Sequence, residues 1–244
     1  MATLPNPLPT LATDPSGRSL GLQLPPGRVI DELLWCADGP ASASGWTALQ
    51  RVRQTAGLLP VLLDAGGDLG GPENWELLPE ETSYPGDHDA EEVLAEAWDE
   101  WPGLAPAGTP EAAPEARAAE SVAALLDTAP RTSDHRLALV PARRSADIPA
   151  AFGWTGPVNY EQDVARLCAV LRSWEDRFGI RVIALSYAGL VVSVAAPPAT
   201  PADAEALTVE HFAFCPDRTG ETEDELRDYA KHLTGARTWT FHWD

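Results

Sequence analysis

The stretch NYEQDVARLCAVLRSWEDRFG, residues 159–179, constrains the fold more than any other. Val164, Leu167, Cys168, Leu171, Trp174 and Phe178 recur at the helical period, so one face is apolar, and Gly179 supplies a left-handed stop. Such a helix needs a hydrophobic layer to cover its apolar face. The chain provides one directly afterwards, because Val182 to Ala202 is a run of 21 residues without a charge. The run is long enough for a membrane span, but Ser186, Ser193, Gly189 and the pair Pro197–Pro198 interrupt it. A buried β-hairpin turning at Ala188–Gly189 fits it better.

The remaining elements follow from the same periodicities. RLALVPA (136–142) reads as a strand, and SADIPAAFGW (145–154) as a short helix with Ser145 as its cap. TPADAEALTVEHFAF (200–214) reads as a helix capped by Thr200 with Pro201 in its first turn. TEDELRDYAKHLTGA (222–236) carries a capping box, Thr222 with Glu225, and a stripe of Leu226, Tyr229, Ala230 and Leu233. RTWTFHW (237–243) alternates as a strand, with Trp239, Phe241 and Trp243 on one face and His242 on the other. The order is β-α-α-β-β-α-α-β. The predicted fold class is α+β, a mixed sheet with helices packed on it.

Upstream the pattern is weaker. Residues 1–27 are rich in Pro and Gly and are expected to drape over the surface. RVIDELLWCA (28–37) reads as one strand, and GWTALQRVRQTAG (45–57) as a helix. LLPVLLD (58–64) reads as a buried strand in which Pro60 signals an edge or a bulge. GDHDAEEVLAEAWDEW (86–101) reads as a helix capped by Asp87 or Asp89. Residues 102–116 are rich in Pro, Ala and Gly and read as a linker or long loop. The expected organisation is therefore a smaller N-terminal α/β region over 1–101, a linker over 102–116 and a C-terminal α+β domain over 117–244.

Charge narrows the function. Against 37 acids stand 17 bases, a formal net charge of −20. Such a chain repels nucleic acid and anionic membranes, and the partner it favours is a basic protein. Fifteen of the acids and one base, Arg117, lie between Glu73 and Asp127, so this segment alone supplies −14. Its candidate interaction residues are Glu91, Glu92, Asp99 and Glu100. Three widely spaced Cys without a CxxC exclude a disulfide framework as the expectation. The first residues show no basic and apolar regions of a secretory signal, so a cytoplasmic location is expected.

One motif concentrates reactive side chains: EHFAFCPD, residues 210–217. As a catalytic set it would use Cys215 as thiolate, His211 as base and Glu210 or Asp217 as orienting group, since i and i+4 meet on one helical turn. Against this, Ala204, Leu207, His211 and Phe214 share a face, which turns His211 toward the core. Cys215 falls at a helix C-terminus, whose partial negative charge raises a thiol pKa. Both residues read as packing. Zinc would need four converging ligands, and neither His211, Cys215, Asp217 and His242 nor Asp87-His88-Asp89 provides that arrangement, so neither metal nor cofactor is expected. Glu175, Asp176 and Arg177 are neighbours that point apart on a helix. GxGxxG, GxxxxGK[ST] and HExxH motifs are absent from the sequence.

GWTGPVNY, AVLRSWEDRFGIRVIAL, VAAPPAT, EHFAFCPD and the closing TWTFHWD together resemble the bacterial domain of unknown function 4253 family, an Actinobacteria-rich group of C-terminal domains. The resemblance covers residues 136–244. It implies a bacterial cytoplasmic protein and brings no activity with it. The function expected is a non-enzymatic, acidic interaction module, immunity-like or regulatory. The alternatives are a hydrolase-like enzyme near His211, Cys215 and Asp217, or a small-ligand binder using Trp174, Trp239 and Trp243 around a cleft.

Overall fold

The computed structural model describes residues 6–50, 52, 56–67, 69–216 and 222–243. Strands β1 (Gly27–Ile30), β2 (Leu34–Pro40), β3 (Leu58–Asp64), β4 (His135–Pro141), β5 (Arg181–Leu185), β6 (Gly189–Ser193) and β7 (Thr238–His242) build one mixed sheet. Their order across it is β1-β2-β4-β3-β5-β6-β7. All pairings are antiparallel except β3 with β5. The helices are α1 (Leu8–Thr13), α2 (Ala43–Gln50), α3 (Ala90–Ala95), α4 (Pro114–Thr128), α5 (Ile148–Ala151), α6 (Val164–Phe178), α7 (Pro201–Phe214) and α8 (Glu223–Leu233). The fold is the mixed α+β class that the sequence predicts. Among the described residues no helix is long and apolar enough to cross a membrane.

The two-residue period of the strands sorts side chains onto two faces. Leu59, Val61 and Leu63 of β3 enter one core with Val140, Val182, Val192 and the apolar faces of α6 and α7. Leu58 and Leu62 enter the other with Leu137, Leu139, Trp46 of α2, and Ala118 and Val122 of α4. Both cores draw residues from before and after the Pro/Ala-rich stretch. In particular β4 runs between β2 and β3, and β3 separates β4 from β5.

Four local expectations change. The apolar run 28–37 is a hairpin, not one strand: Asp31 and Glu32 take positive φ (47° and 61°) and reverse the chain between β1 and β2. Neither residue is a glycine, so the usual turn signal is missing. Pro60 lies in an interior strand, not at an edge. The ladder with β5 starts only at Leu62, so on that side Pro60 faces no pairing that its missing N–H would break. The helix expected over 86–101 is α only from Ala90 to Ala95, capped by Asp89, whose Oδ1 accepts from Glu91 and Glu92 N–H. Pro102 disfavours helix at Trp101, whose indole turns back to donate to Glu91 at 2.9 Å. Ser145 does not cap its helix; it opens a 3₁₀ turn, and its Oγ accepts from Val182 N–H at 2.8 Å.

Two further segments gain structure. The N-terminal stretch is held down by Leu8, Leu11 and Leu22, which are buried in the α4-side core. Helix α4 starts at Pro114, inside the stretch read as a linker. Its Ala-rich composition hid it next to that Pro-rich run. The C-terminal elements match their predicted faces. Val164, Leu167, Cys168, Leu171, Trp174 and Phe178 are all buried, as are Trp239, Phe241 and Trp243. Gly179 is left-handed at φ 61°, and the Thr222–Glu225 capping box is formed.

Candidate functional site

Helix α7 delivers Glu210, His211 and Cys215 to the interior, because Ala204, Leu207, His211 and Phe214 face the sheet. All three chemistry-bearing residues are fully buried. The His211 ring lies 4.8 Å from that of Trp174, 4.7 Å from Trp239 and 5.0 Å from Phe241, and its Nδ1 shares a hydrogen bond with the Tyr229 hydroxyl at 2.9 Å. The Cys215 thiol donates to the His242 carbonyl at 3.1 Å. It thus ties the end of α7 to the end of β7. Asp217 lies outside the described residues. Trp174, Trp239 and Trp243 pack against Phe178, Phe214 and Phe241 in edge and stacked contacts, so they fill a core and do not frame a cleft.

Glu210 does not orient His211; it closes a buried ion pair. Its Oε1 accepts from Arg177 Nη1 (2.8 Å) and Ala105 N–H (2.6 Å). Its Oε2 accepts from Arg177 Nη2 (2.6 Å) and Trp174 Nε1 (2.8 Å). Arg177 Nη1 also donates to the Ala105 carbonyl. A carboxylate this deep is tolerable only with such a set of donors. The bidentate pair pins segment 102–113 to α6 and α7, and Gly108 N–H to Arg177 O and Glu111 N–H to Ala195 O continue the seam. Pairing across 33 residues gives no local signal in the sequence.

The other thiols are also interior. Burial pushes the Cys36 thiol up to about 11, and burial raises that of Cys168 further still. Among the described residues no group of three or more His, Cys, Asp or Glu side chains is arranged to hold a metal ion. His88 of the DHD stretch shares a hydrogen bond with the Ser83 hydroxyl at 2.6 Å, while Asp89 caps α3.

The carboxylates of the middle segment are placed oppositely. Leu94 is buried against the α6 side, with the Trp98 ring 5.1 Å from that of Phe212, and this anchors α3. Glu91, Glu92, Asp99 and Glu100 all project into solvent, and so does every other acid from Glu73 to Asp127. From Glu76 to Glu100 the only carboxylate with an Arg partner among the described residues is Glu96, paired to Arg166. Further along, Glu111, Glu115 and Glu120 do have Arg partners. The geometry therefore resolves one stretch, 76–100, as the uncompensated part of the acidic block.

Residues 136–244 match the family described as Domain of unknown function (DUF4253). The DUF4253 part therefore runs from β4 to the last described strand. No curated protein and no solved structure matches the chain. Within the DUF4253 part, β4 and β5 are not neighbours, since β3 from outside the match fills the space between them. The buried residues Glu210, His211 and Cys215 and the aromatic strand β7 all lie inside it, and the acidic stretch 76–100 lies outside.

One pair of side chains has no counterpart among the sequence motifs. Asp64 ends β3, His135 begins β4, and the two are cross-strand partners in register. They head a cleft of about 450 Å³. Some seventy residues separate them along the chain. The only available signal is an acid closing one apolar strand and a His opening another.

Proposed function

We propose that the chain is a non-enzymatic interaction module, immunity-like or regulatory, which receives a basic protein partner on the acidic surface of residues 76–100. The observation that carries this reading is the exposure of Glu91, Glu92, Asp99 and Glu100 on a firmly anchored segment with almost no internal cations to neutralise it. A surface of this kind raises association rates for a cationic partner and rejects anionic ones, and salt weakens the attraction. The burial of His211 and Cys215 supports the same reading, because the most reactive-looking motif is taken up by packing. The reading carries a cytoplasmic location with it.

The test is affinity capture from a native lysate at low and at high salt. The quadruple variant Glu91→Gln, Glu92→Gln, Asp99→Asn, Glu100→Asn is the control, and it keeps the acceptor that Glu91 offers Trp101. A basic protein should be enriched at low salt, fall away at high salt and be absent with the variant. Capture that ignores both salt and the four substitutions would remove the proposal.

A further inference from the structure

The cleft at the Asp64–His135 pair lies where the carboxyl ends of the parallel strands β3 and β5 emerge, a position at which open sheets tend to bind ligands. Its floor is a row across three strands on one face: Ala184 opposite Val191, and Val191 opposite Thr240. One wall is the last turn of α4, through Leu125 and Thr128. That helix covers β5 and β6 and stops, which leaves the end of the face open. The volume is that of a small-molecule site. From β3 to β7 the face spans three strand spacings, roughly 14 Å.

The lining of the cleft holds one carboxylate, Asp64, and two imidazoles, His135 and His242. Asp64 is held rigidly, because its Oδ1 accepts from Gly66 N–H at 2.9 Å and from Asp134 N–H at 2.8 Å. Its Oδ2 accepts no hydrogen bond among the described residues, and the nearest cation-capable group is His135 Nε2 at 4.0 Å. The carbonyl end of α4 adds partial negative charge on the facing wall. No Lys or Arg is among the residues that line the cleft.

We propose that this cleft binds a small organic cation, a primary ammonium on an apolar stem. The ammonium pairs with the unengaged oxygen of Asp64, and the stem lies over Ala184 and Val191. The site is separate from the acidic surface and does not rest on the interaction reading.

The probe is 4-phenylbutylamine, compared with 4-phenylbutanol and 4-phenylbutyrate, which keep the stem and change the charge. Binding is followed by amide chemical shifts of the ¹⁵N-labelled full chain. The amine should shift the amides of Gly66, Ala184, Gly189 and Val191 at millimolar concentration, and the alcohol and the carboxylate should not. Asp64→Asn keeps the acceptor for Gly66 and Asp134 but removes the charge, and should weaken the amine at least tenfold. Thr128→Trp, at an exposed position on the wall, should block it sterically while the melting curve stays that of the parent. The proposal is overturned if the alcohol binds as well as the amine, if Asp64→Asn or Thr128→Trp binds the amine unchanged, or if the amine leaves the cleft amides unmoved.

Discussion

Two acid–imidazole neighbourhoods in this chain behave in opposite ways. Glu210 and His211 are adjacent in sequence, fully buried, and held by Arg177, Trp174 and Tyr229. Asp64 and His135 are far apart in sequence and meet only because β3 and β4 pair antiparallel in that register. The helical pair has the residue types of a catalytic site and lies packed in the interior. The strand pair carries no motif, yet it offers an unengaged carboxylate oxygen at an open cleft. Density of reactive residues along the chain is therefore a poor guide here, because a helix that must cover an aromatic sheet collects buried polar groups along with their donors.

The comparison can be broken by mutation. Glu210→Ala would leave the Arg177 guanidinium, the Trp174 indole N–H and Ala105 N–H without their shared acceptor, and should cost about 3–5 kcal/mol in urea unfolding. Phe241→Ala should cost a similar amount, about 3–5 kcal/mol, by opening a cavity under Trp174. The preceding residue on the same strand, Thr240, faces out, and Thr240→Ala should stay within about 0.5 kcal/mol of the parent. Equal losses at 240 and 241 would contradict the assignment of faces on β7.

A smaller effect concerns Cys36. Its thiol is held protonated by burial, with a pKa raised from 9.0 to about 11. The folded state therefore keeps the proton more tightly than the unfolded chain. The associated stability is intact below pH 9 and is lost as pH rises from 9 toward 11. Urea midpoints of the parent and Cys36→Ala, compared at about pH 8 and about pH 10.5, should converge at the higher pH. A constant gap between them would remove this linkage. Smallest in scope is the cap of α8: Thr222→Ala should cost about 1 kcal/mol, since it removes one half of a capping box on a solvated helix.

Much of the C-terminal part was legible because its signals are local. The stripe from Val164 to Phe178, the Thr222–Glu225 box and the alternation of Trp239, Phe241 and Trp243 each specify an element and its buried face within a few residues. The N-terminal part was less legible for the same reason in reverse. The Asp31–Glu32 turn uses positive φ without glycine, Pro60 sits inside the sheet, and α4 begins next to a Pro-rich run. The exposure of the acidic segment followed from composition. The Arg177–Glu210–Ala105 seam and the Asp64–His135 pair did not, because both depend on strand order and long-range register, which short-range patterns do not encode.

The central claim is that Glu210, His211 and Cys215 belong to the interior. Site-resolved thiol labelling at neutral pH, read by mass spectrometry in native buffer and again in urea, tests it directly. Cys215 should stay unmodified in the native chain while free cysteine in the same tube is consumed, and it should label promptly once the chain unfolds. A native Cys215 that reacts as fast as free cysteine, or faster, would contradict it.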